Sequence, residues 1–106
     1  MKSIENRNDF TAVVAQGKPV LLDFYADWCG PCQSLLPTIE RLATEYEGKV
    51  EVRKVNVDQN QELAAQFQVR SIPALFFLKD SKIVDRVQGV VSESLLRTKL
   101  EAYANA

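Results

Sequence analysis

The chain holds two cysteines, three residues apart in Trp28-Cys29-Gly30-Pro31-Cys32. Thiols at this spacing can exchange electrons with a disulfide if the backbone lets them meet. Proline suits the first turn of a helix, where its missing N–H had no partner to lose. The segment therefore opens a helix, with Cys29 near the N-cap and Cys32 inside the first turn. The partial positive charge and free N–H donors of a helix N-terminus favour a thiolate. Cys29, expected to be the more exposed, is read as the attacking sulfur. Two helical residues three apart stand too far apart for an easy disulfide. An N-cap residue has non-helical dihedrals and can swing in, so the spacing permits a reversible bond.

Three blander readings compete: two buried reduced cysteines, half of a metal site, or a structural bridge. The chain has no histidine, so two cysteines cannot complete a four-ligand Cys/His zinc site within one chain. The same lack excludes Ser-His-Asp and Cys-His catalysis. A bridge across two intervening residues closes too short a loop to stabilise much. A C-x-x-C beside a strand–helix pattern is a redox signature, and redox chemistry is the preferred reading.

Asp23 lies in Val20-Leu21-Leu22-Asp23-Phe24-Tyr25, six residues before Cys29. Both faces of such a strand should be apolar, so the carboxylate loses hydration and its pKa should rise. The role expected is proton acceptor for Cys32; the alternative is pairing with a backbone donor or with Lys54. Lys54 interrupts an apolar alternation in the neighbouring strand. It is either a charge partner for Asp23 or a lysine snorkelling to the surface. Ile72-Pro73 precedes a strand, a position where proline is permitted without further meaning. By residue type alone its bond is expected trans, since only about 5–6 % of X–Pro bonds are cis. Trp28 is either part of an exposed rim beside the cysteines or a core residue. Gly89 ends a strand, or lets a partner backbone come close.

The positioning elements alternate. Phe10, Val13 and Val14 give helical spacing over residues 8–16, with Gly17 as a stop. Residues 19–25 form a continuous apolar run, the mark of a strand buried on both faces. Residues 31–47 read as the longest helix, striped by Leu35, Leu36, Ile39, Leu42, Ala43 and Tyr46 and closed by Gly48. Pro37 inside it is expected to kink it. Residues 50–57 read as a strand, 60–67 as a short helix and 74–79 as a strand. Asp80-Ser81 turns the chain into a hairpin strand over 82–88. Ser92 caps a last helix carrying Leu95, Leu96, Leu100 and Tyr103. This order predicts an α/β fold: a mixed sheet with helices on both faces.

At 106 residues, the chain is expected to form a single domain over 1–106. Its 46 % hydrophobic and 25 % charged residues are a globular mix rather than a disordered one. With 13 basic and 14 acidic residues the net charge is -1, which argues against an electrostatic nucleic-acid binder. Apolar runs are only a few residues long, so no membrane helix is expected. The polar stretch Met1 to Asp9 lacks the apolar segment of a signal peptide. The chain therefore reads as a cytoplasmic product, where a disulfide is catalytic more often than structural.

The sequence closely resembles the thioredoxin family. The resemblance is carried by Val20 to Pro37, by Lys54-Val55-Asn56-Val57-Asp58, by Val69-Arg70-Ser71-Ile72-Pro73 and by Gly89. It implies the order β-α-β-α-β-α-β-β-α, with a five-stranded mixed sheet flanked by four helices. It implies reduction of disulfides in proteins, Cys29 attacking and Cys32 resolving. It makes Asp23 the buried carboxylate beneath the site, with Lys54 as its neighbour. It makes Trp28, Gly30, Pro31, Ile72, Pro73 and Gly89 the substrate-binding rim, and the Ile72-Pro73 bond cis. It also implies a monomer with a redox-active Cys29–Cys32 disulfide, no bound cofactor or metal, and a flavin- and NADPH-dependent reductase as electron donor. Departures from the family pattern are Gln33, Ala74, Asp80-Ser81 and Gln88; Gln33 and Gln88 bear on partner preference. Two rivals remain: an oxidant or isomerase on the same fold, separable by redox titration, and a binding module in which the cysteines are incidental.

Overall fold

A computed structural model describes residues 1–105. The elements are β1 (Lys2–Ser3), α1 (Arg7–Val14), β2 (Val20–Tyr25), α2 (Gly30–Glu45), β3 (Glu51–Asn56), α3 (Gln61–Gln66), β4 (Ala74–Lys79), β5 (Lys82–Gln88) and α4 (Glu93–Ala104). The five strands form one sheet in the order β1-β3-β2-β4-β5. Pairings β1–β3 and β2–β3 are parallel, and β2–β4 and β4–β5 antiparallel. This is the expected mixed sheet.

Central strand β2 is buried along nearly its whole length. Its side chains alternate between two cores. Leu22 and Phe24 join Phe67 and Phe76 on the face that packs with α1 and α3. Leu21 joins Leu35, Ile39, Leu42, Leu96 and Leu100 on the face covered by α2 and α4. Asp23, two residues from Leu21, points toward this second face.

Most boundaries differ from expectation by a residue or two, because capping residues share the composition of the helices they close. The first helix starts at Arg7, with the Asn6 side chain accepting from the Asp9 N–H, and ends at Val14. Asn60 and Phe67 are caps of α3 rather than part of it. Helix α2 ends at Glu45 and runs through Pro37. Ser92 caps α4 by accepting from the Leu95 N–H at 3.1 Å. Strand β1, two residues long, is too short to show any alternation; it was implied by the resemblance alone. The hairpin turns at Asp80 and Ser81, both with positive φ (52° and 65°), the backbone of a tight two-residue hairpin turn.

Candidate active site

The carboxyl ends of β2 and β3 and the start of β4 lie side by side, and the site is built from the loops that follow or precede them. Cys29 is the N-cap of α2, with extended dihedrals (φ −90°, ψ 106°). Pro31 occupies the first turn, as its missing donor allows. The Cys32 N–H donates to Cys29 Sγ at 3.2 Å, so sulfur takes the place usually held by a serine or aspartate oxygen. The Cys29 N–H donates to the Ala26 carbonyl at 3.2 Å, fixing the loop that leads into the helix.

Cys29 and Cys32 form a disulfide, with Cα atoms 5.3 Å apart. Cys29 is 5 % exposed and Cys32 1 %. The order of exposure is the one expected, but Cys29 is nearly enclosed rather than open. Tyr25, Val57 and Ile72 pack around the pair with Ala26.

Asp23 is 1 % exposed. Neither carboxylate oxygen has a hydrogen-bond partner. Burial pushes its pKa up to about 7, against the opposing pull of the Lys54 charge. The two residues are direct register partners on β2 and β3. Both expectations for Lys54 therefore meet partway: its charge is felt by Asp23, while its ammonium lies over the Tyr25 ring, 5.8 Å from the centroid. Along β2, Leu21 belongs to the core under α2 and Tyr25 touches the cysteine cluster. Asp23 lies between them on the same face of the sheet, inside the protein.

On the other side, the Ile72-Pro73 bond is cis, and the Ile72 carbonyl oxygen is 3.8 Å from Cys29 Sγ. The Gly89 N–H donates to the Pro73 carbonyl at 2.9 Å. Gly89 has φ +83°, a conformation in which a side chain would be strained. Trp28 is 71 % exposed, which settles it as a surface residue. Its Nε1–H donates to Asp58 Oδ2 at 2.8 Å. Asp58 belongs to a stretch that carries the resemblance, yet nothing in residue spacing joins it to an indole on another loop. Two surface hollows, of about 520 and 260 Å³, lie elsewhere, and neither is lined by Cys29, Cys32 or Trp28. Among the described residues, no cluster of His, Cys, Asp or Glu is arranged to hold a metal ion, and no helix is long and apolar enough to cross a membrane.

A reversible dithiol at a helix start, on a mixed sheet with helices on both faces, defines a thiol-disulfide oxidoreductase. The sequence profile of the thioredoxin family matches residues 2–102, and the chain belongs to that family. A thioredoxin from Haemophilus influenzae is 46 % identical over 94 % of this chain and 91 % of its own length. One from Chlorobaculum thiosulfatiphilum is 41 % identical over 92 % of this chain and 91 % of its own. The crystal structure of Fasciola hepatica thioredoxin, 38 % identical, superposes with a TM-score of 0.88 over 97 % of this chain and 99 % of that one. The protein is a protein-disulfide oxidoreductase with a redox-active disulfide at Cys29–Cys32.

Proposed function

We propose that the chain acts as a protein-disulfide reductase, a single domain over 1–106, with unequal roles for its two sulfurs. Cys29 thiolate attacks one sulfur of a target disulfide. The other target sulfur leaves as a thiolate and takes a proton. Cys32 gives its proton to Asp23, and its thiolate attacks Cys29 Sγ. The second target sulfur leaves as a thiolate and takes up the proton that Cys32 gave to Asp23, so the target has gained two electrons and two protons and the protein holds the disulfide. The observation that carries this assignment is the hydrogen bond from the Cys32 N–H to Cys29 Sγ. It places the outer sulfur where a helix start stabilises negative charge.

Asp23 suits the proton step because a group titrating near 7 accepts and returns a proton at neutral pH. Lys54 holds positive charge beside it. Trp28, Gly30, Pro31, Ile72, Pro73 and Gly89 form the rim that takes an extended target segment. The resemblance supports the rest of the reading: a monomeric cytoplasmic protein in cell redox homeostasis and electron transport. It needs no bound cofactor and is recycled by a flavin- and NADPH-dependent reductase.

The test uses Cys29→Ser and Cys32→Ser, each reduced and mixed with a disulfide-bonded protein, then run on a non-reducing gel. Cys29→Ser should abolish reduction. Cys32→Ser should accumulate a covalent mixed disulfide. Trapping by Cys29→Ser alone would reverse the assignment.

A further inference from the structure

Two buried asparagines connect the core to the rim. Asn60 Nδ2 donates to the Ile4 carbonyl at 3.2 Å and to the Asn56 carbonyl at 3.0 Å. Asn56 Oδ1 accepts from the N–H of Asp58 at 2.9 Å and of Gln59 at 3.3 Å. This side-chain turn folds the chain back at the end of β3. It presents the exposed Asp58, whose Oδ2 accepts the Trp28 Nε1–H at 2.8 Å. Asn56 and Asn60 are 6 % and 7 % exposed, so the turn is anchored in the interior. Trp28 is mostly in solvent and is held by a charge-assisted hydrogen bond, a stronger tie than a neutral one.

We propose that Asn56 and Asp58 are positioning residues for recognition of protein disulfides: they hold the Trp28 indole, next to Cys29 in the chain, in a fixed pose against which a target segment packs. The inference rests on Trp28 being part of the rim. An indole free to turn would have to be ordered by each arriving target, and that cost falls on binding rather than on bond exchange. The NH edge is tied to Asp58, which leaves the apolar ring faces as the contact for a target.

Trp28 is the chain's sole tryptophan, so intrinsic fluorescence reports this one side chain. The parent, Asp58→Ala, Asp58→Asn and Asn56→Ala are compared in the reduction of insulin and by Trp28 anisotropy in the reduced state. Asp58→Ala should raise KM for insulin about 3–10-fold, with kcat changed less than twofold, and should lower the anisotropy. Asp58→Asn, which keeps an acceptor oxygen, should restore most of both. Asn56→Ala should resemble Asp58→Ala. If it fails to fold, the two Asp58 variants decide. An unchanged KM, an unchanged anisotropy, or a loss confined to kcat in Asp58→Ala would overturn the proposal. A parent that leaves insulin oxidised would defeat the reading of the function instead, while the anisotropy comparison would still decide whether Asp58 fixes the indole.

Discussion

Asp23 and Asp85 are aspartates in the same sheet, and the protein surrounds them oppositely. Asp23, on central strand β2, has no hydrogen-bond partner for either oxygen, and burial raises its pKa to about 7. Asp85, on edge strand β5, stands opposite Phe77 in the register. It accepts from Lys99 Nζ at 2.5 Å, the Tyr103 hydroxyl at 3.0 Å and the Arg86 N–H at 2.7 Å. The Lys99 hydrogen bond, with smaller help from the Arg86 and Tyr103 donors, outweighs the upward push of burial and holds its pKa below the usual value. The Tyr103 ring rests on Phe77, 5.3 Å between centroids, so this cluster ties α4 to the sheet. A buried carboxylate without partners is costly, and the sheet carries that cost at the strand that leads to the disulfide. The saturated carboxylate joins α4 to the sheet, and the unsatisfied one is the carboxylate to which we assign the proton step.

The largest effect should come from removing the unsatisfied charge. Because the folded protein holds the Asp23 proton more tightly than the unfolded chain, this contribution is full below about pH 4 and is lost as pH rises to about 7. Asp23→Asn should therefore be more stable than the parent at pH 8, by about 2–4 kcal/mol, with a flatter pH dependence. Urea melts at pH 5 and 8 measure this. The mixed disulfide should also resolve about tenfold more slowly, less than a usual general-base loss because thiols ionise readily near neutral pH. An Asp23→Asn protein less stable than the parent at pH 8 would show that the carboxylate is satisfied, and the contrast with Asp85 would collapse.

Asp85→Asn should move stability the other way. The Asp85 and Lys99 side chains are 24 % and 26 % exposed, so solvent screens part of the pair. A loss of about 1–2 kcal/mol at pH 7 is expected. For a depressed pKa the contribution is present above the unfolded value and is lost as pH falls through the folded one. The deficit of Asp85→Asn should thus shrink in acid, where that of the parent's Asp23 also disappears. Equal melts of parent and variant at pH 7 would make the Lys99 contact energetically idle.

Lys54→Met should have the smallest effect, since Lys54 acts on Asp23 as a neighbouring charge and no ion pair joins them among the described residues. Without it, the Asp23 pKa should climb above 7 and the sloping part of the stability–pH curve should extend to higher pH. Carboxyl titration by NMR would show this; a titration that stays in place would mean that burial alone sets the value.

The sequence was most readable where one segment decides its own fate. The apolar run into Tyr25, the stripe from Leu35 to Tyr46, the Asp80-Ser81 turn and the Ser92 cap each depend on neighbours a few residues away. The oddity of Asp23 was readable too, because a carboxylate in a strand buried on both faces stands out against its own surroundings. Contacts made by register and loop placement were not. Nothing local tells that Trp28 meets Asp58, that Lys99 and Tyr103 share Asp85, or that Arg97 joins Glu93 to Glu45 and so bridges α4 to α2. The near-enclosure of Cys29 escaped for the same reason: Ile72, from a distant loop, closes over it.

Cys29 Sγ is at once the redox atom and the first acceptor of helix α2. The Cys32 amide is therefore a proton whose protection from solvent exchange depends on the electrons of the sulfur beside it. A thiolate accepts more strongly than a disulfide sulfur, so this one hydrogen bond should strengthen on reduction, while the covalent bridge across the same turn is given up. The start of α2 and the redox state of Cys29 are therefore joined through one shared atom. Anything that frays the start of α2 must also weigh on the protein's hold on its electrons, by the same reciprocity that joins two ligands on one macromolecule.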